Sequence, residues 1–131
     1  MKRLVLLLTT LTIVMSPSLA KADKAIDGEV IHSASFVGES NHEVSGGVQI
    51  IKKGDVQYLV LQEDFKFDGA PDPKLGFTLS DEFVEESLFS GLNHDEGQQV
   101  YRLPADFDSS KYDEITIWCH KFSVPLAEAK Y

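Results

Sequence analysis

The sequence predicts an all-β fold: one antiparallel β-sandwich or barrel-like domain of about seven strands with little helix. Apolar residues alternate with polar ones over short runs, as along a strand with one face in a core. Glycine, proline, aspartate and asparagine punctuate the chain at short intervals, where tight turns need them. Only one short segment, from Asp81 to Leu92, has the spacing of an amphipathic helix.

The N-terminus stands apart from this pattern. Met1-Lys2-Arg3 precedes an apolar run from Leu4 to Met15 and then Ser18-Leu19-Ala20-Lys21-Ala22. A basic start, a short apolar centre and small residues at the end are the layout of a cleaved secretory leader, and the run is too short for a comfortable membrane span. Residues 1–22 are therefore expected to be removed before Asp23, with cleavage after Ala20 as the alternative. Removing 22 of the 131 residues leaves 109, the size of a single domain. The expectation is an exported protein, periplasmic or secreted, whose mature chain is one β domain from residue 23 to 131 without a membrane span.

Within that domain, Val30 to Val37 and Gly46 to Ile51 read as the first strands, with Val48 and Ile50 on one face. Lys52-Lys53-Gly54-Asp55 reads as a hairpin turn, since glycine accepts the positive φ of a tight connection. Val56 to Gln62 is rich in β-formers and is expected to be central, with Leu59 and Leu61 on one face. Asp68 to Pro73 must be a loop, because Pro71 and Pro73 each lack a donor. Leu75, Phe77 and Leu79 alternate as a further strand. In the segment from Asp81 to Leu92, Ser80 is a candidate cap and Phe83, Val84 and Leu88 share a helical face. Gly97 to Pro104 holds a short strand, and Asp106 to Asp113 is a polar connection. The last expected strand is Ile115 to Val124, where Ile115, Ile117 and Cys119 recur at every second residue. Cys119 and His120 then point to opposite faces, so the adjacent pair cannot clamp one ion.

Charge and cysteine count bound the function. The chain carries 12 basic and 21 acidic residues. Loss of Lys2, Arg3 and Lys21 with the leader leaves nine basic residues and a balance near −12. Such a surface repels nucleic acid and anionic membrane. Cys119 is the single cysteine. No internal disulfide can form, so Cys119 is buried packing, a link to another molecule, a ligand or a redox thiol.

Several chemistries fail on pattern. No G-x-S-x-G elbow, H-E-x-x-H zinc motif or C-x-x-C-H haem attachment is present. The acidic residues Asp81, Glu82, Glu85, Glu86, Asp95 and Glu96 lack the order of a calcium loop and read as a solvated face. A blue-copper site needs a histidine a few residues beyond its cysteine. Here His120 follows Cys119 directly, and both methionines lie within the leader.

Phe36-Val37-Gly38, Asn41 to Ile50 (NHEVSGGVQI), Tyr58 to Leu61 and Phe65 to Pro73 (FKFDGAPDP) precede Leu75 to Ser80 (LGFTLS). Ser90-Gly91-Leu92, Gly97 to Pro104 (GQQVYRLP) and Tyr112 then lead into ITIWCHKFSV, Ile115 to Val124. In this order the segments resemble the DM13 domain, a family of bacterial exported proteins and of animal extracellular proteins that carry it beside DOMON modules. The resemblance implies a β-rich domain for electron transfer, a redox module rather than a complete enzyme, with Cys119 as its redox thiol or as a ligand to a cofactor. It also implies His42 as a cofactor-binding helper, and a redox partner that is DOMON-like or haem-bearing and brings any haem or metal. The tail from Val124 departs from the family pattern, which leaves the end of the last strand open. A thiol reacts as thiolate, so the redox reading needs His42, His120, Arg102 or Lys121 nearby. The alternative is a non-catalytic binding domain in which Cys119 is core packing.

Overall fold

The computed structural model describes residues 26–131, and the expected leader lies outside them. The regular structure of the described residues is almost entirely strand, in the order β1 (Glu29–Ser35), β2 (Val37–Gly38), β3 (Val44–Ser45), β4 (Gly47–Lys53), β5 (Val56–Leu61) and β6 (Lys66–Phe67). There follow β7 (Pro73–Leu79), β8 (Glu82–Val84), β9 (Ser90–Gly91), β10 (Gln99–Arg102), β11 (Glu114–Cys119) and β12 (Val124–Lys130). One sheet has the order β1-β4-β5-β10; the other runs β2-β12-β11-β7-β8, with β9 also on β7, and β3 pairs β6 apart from both. All pairings are antiparallel.

Both main sheets press their apolar faces into one core, which makes the domain a sandwich. Val48, Ile50, Leu59, Leu61 and Tyr101 come from the first sheet, and Leu75, Phe77, Ile115, Ile117, Cys119 and Leu126 from the second. The expected central place of β5 is met, since β4 and β10 flank it. Gly54 takes a φ of 59° in the turn between β4 and β5, as the hairpin reading required. Gly46 has a φ of 104° and lies so close to the chain opposite that an added Cβ would stand 2.5 Å from the Phe65 Cα.

Four expectations are corrected. Pro73, expected within the loop, instead opens β7 opposite Cys119, a position at the start of a strand where a missing donor is tolerated. The first strand is interrupted at Phe36, whose side chain is buried while its N–H donates to the Gly46 carbonyl. Asp81 to Leu92 is not a helix: Ser80 and Asp81 both take positive φ, 51° and 65°, and fold β8 straight back along β7. A single 3-10 turn follows at Glu85–Ser87, where the Ser87 hydroxyl takes the Phe77 N–H at 2.7 Å and donates back to the Phe77 carbonyl. That local bond outweighs the weak helical spacing.

The stretch from Ile115 to Val124 is also not one strand. β11 ends at Cys119, and the Ser123 N–H reaches back 2.8 Å to the Cys119 carbonyl across a turn. β12 then runs beside β11, with a register shift between Ile117 and Trp118 that accommodates Pro125. Ala127 and Ala129 of β12 are fully buried between larger neighbours.

Candidate functional site

On β11 the side chains of Ile115, Ile117 and Cys119 face the core, while Glu114, Thr116 and Trp118 lie on the opposite face, where Glu114 and Thr116 are also buried. Cys119 stands at the end of the strand, opposite Pro73 of β7 and Val124 of β12. It is a free thiol, 1% exposed, and its Sγ donates to the Pro71 carbonyl at 3.2 Å. Pro71 belongs to the segment from Asp68 to Pro73 expected as a loop, so that loop supplies the thiol's hydrogen-bond acceptor.

That loop is fastened along its length. At its far end the Asp72 carbonyl accepts from the His120 N–H at 3.2 Å and the Pro73 carbonyl from the Leu92 N–H at 2.9 Å. At its near end Asp68 accepts from His42 Nδ1 at 2.8 Å and from the Glu43 N–H at 3.0 Å. The Glu43 N–H and then the His42 side chain hold the Asp68 carboxyl below its ordinary value. The Asp68 carboxylate at Nδ1 requires that nitrogen to carry a proton, whichever state the ring is in. The imidazole lies against Phe67, ring centroids 6.0 Å apart, and borders an open cleft of about 540 Å³ lined also by Ser45 and Lys66 of the β3–β6 pair.

The two residues singled out from sequence have different hydrogen-bond partners. Cys119 lies behind the Pro71 part of the loop, and His42 holds the Asp68 part, with no hydrogen bond or cleft in common. The helpers proposed for the thiolate are not its partners either. His120 and Lys121 are in the exposed turn, Lys121 placing its ammonium 5.4 Å from the Phe122 ring, and Arg102 is exposed on the β10 edge of the other sheet. Sequence reasoning missed Asp68 and Pro71 as partners, which stand 26 and 48 residues from the groups they hold. No local spacing could have shown either contact.

The model of a family described as electron transfer DM13 matches residues 35–131, nearly all of the described domain. The chain belongs to the DM13 family. No curated protein and no solved structure matches it significantly. Electron transfer in the general sense is therefore the function this DM13 domain carries, and it implies a redox partner. Among the described residues no helix is long and apolar enough to cross a membrane.

Among the described residues the donor set does not fit a metal held by this DM13 domain alone. The Cys119 sulfur meets a backbone carbonyl rather than a second ligand, and no three His, Cys, Asp or Glu side chains gather as a binding set among the described residues. An aromatic pair lies on the opposite face of β11 from the thiol. Trp118, next in sequence to Cys119, stacks on Phe83 of β8 with centroids 4.0 Å apart and planes 8° from parallel.

Proposed function

We propose that this domain is an exported electron-transfer module whose redox group is the Cys119 thiol, uncovered when the Asp68–Pro73 loop lifts. The reading is carried by one observation: a free thiol capped by the carbonyl of a loop whose other end is latched to an imidazole. Oxidation would take one electron from sulfur to the partner's oxidised centre and release the thiol proton to water; reduction returns both. While the thiol donates to the Pro71 carbonyl, the sulfur is shielded from water and from a partner. Release of the loop is what gives it water and a partner. His42 acts through Asp68 and positions the loop, and export is supported by the basic-apolar-small order of residues 1–22.

The burial of Cys119 within the core cluster favours a second reading, a binding domain in which the cysteine only packs. Alkylation of folded, non-reduced protein across a pH series separates the two. The redox reading expects modification of the native protein, faster by about tenfold in Asp68→Ala, where the latch is lost. It also expects Cys119→Ser to fold and lose exchange with a redox partner. A thiol that resists alkylation until global unfolding in both proteins leaves only the packing reading. Export is checked by expressing the full chain and reading the N-terminus of the product, expected at Asp23 or Lys21.

A further inference from the structure

The outer face of the second sheet carries a group of carboxylates remote from the Cys119 loop. Glu114 of β11 is 2% exposed, and Lys130 of β12, its cross-strand partner, reaches only one of its oxygens, Oε1, at 3.0 Å. The other oxygen, Oε2, is buried without a donor. Glu128, two residues before Lys130 on β12, lies on the same face, where it pairs with Thr116. The neighbouring hydroxyls are already committed, since Thr78 and Thr116 hydrogen-bond each other at 2.7 Å with both side chains fully buried. A buried carboxylate oxygen without a donor is costly, and a second carboxylate beside it makes the position worse.

We propose that Glu114 and Glu128 bind one proton between them, Glu128 donating as a carboxylic acid to the orphaned Oε2 of Glu114. A single proton resolves both anomalies, giving Oε2 its donor and removing the repulsion. The surrounding charges agree with one bound proton. Burial, and then the Glu114 charge and hydrogen bond, push Glu128 up to about 7, with Glu39 beyond β2 adding to the rise and Lys130 opposing it. Lys130 also reaches Asp81, in the β7–β8 turn, at 3.6 Å, so its one charge is divided between two carboxylates. The site is a neutral-range proton sensor across the β11–β12 seam.

The direction follows from linkage. A carboxyl whose folded value lies above its unfolded one binds protons more tightly in the folded state between about 4.5 and 7. Folding stability falls as pH rises through that window and levels off above it. The test is the titration of the Glu128 side-chain carboxyl carbon by NMR on the folded protein, with thermal unfolding at about pH 5.5 and about pH 8. The proposal expects a midpoint near 7, a melting temperature lower by several degrees at the higher pH, and an Glu128→Gln variant in which that difference is gone because the amide donates at both pH values. A Glu128 carbon that titrates in the ordinary carboxylate range overturns the proposal whether or not the variant folds. So does a midpoint near 7 that persists at another carboxyl when Glu128 is replaced.

Discussion

Cys119 and Thr116 occupy alternate faces of one strand and illustrate how differently a buried polar atom can be treated. The Thr78–Thr116 hydroxyl pair is closed on itself and lies at zero exposure. Thr116→Val should strand the Thr78 hydroxyl and cost about 1–3 kcal/mol in denaturant unfolding, whereas the double Thr78→Val, Thr116→Val change should cost less than the sum of the singles. Additive losses would mean that the two hydroxyls are not partners. Cys119 is satisfied in a looser way, by the carbonyl of a loop rather than by a neighbouring strand. Its alternation with Ile115 and Ile117 made its direction legible in the sequence. Its cap was not legible, because backbone carbonyls have no sequence signature.

At the scale of elements, the loop and the hairpins carry the argument. The Asp68 carboxyl is held below its ordinary value, so its contribution to stability is present above the unfolded value of about 3.8 and lost as pH falls through the lower folded one. The loop over Cys119 should therefore open more readily in acid than at neutrality. Hydrogen exchange at the Glu43 amide, which Asp68 caps, checks this: protection should fall below about pH 4 and be absent at all pH in Asp68→Ala. Gly46→Ala is expected to cost on the order of 1–3 kcal/mol or more, since the added methyl meets the Phe65 backbone and the φ is positive.

The long strands β4, β5 and β7 were readable because their period of two is strong. β12 was not. Pro125 and the alanines of VPLAEAK have low strand propensity, and they are accommodated by a bulge and by small-residue packing that only the neighbouring strand reveals. The helical reading of residues 81–92 failed at Ser80 and Asp81. Their left-handed turn decides the path before any side-chain periodicity can act.

The full sequence is strongly acidic, nine charges negative, and its basic Lys2, Arg3 and Lys21 lie outside the described sandwich. Association with a basic redox partner should slow as salt rises from about 10 mM to about 150 mM, where the screening length shrinks from roughly 30 to 8 Å. Stopped-flow rates that do not change over that range would place the contact away from the net field. The aromatic pair on the outer face also gives the domain an optical property. Trp118 is the single tryptophan, its ring lies on Phe83 of the neighbouring hairpin, and the next residue is the thiol-bearing one. One fluorophore thus reports on one hairpin: its emission is expected to shift when the β7–β8 hairpin peels away and the Phe83 ring leaves it. The protein can be followed without a label.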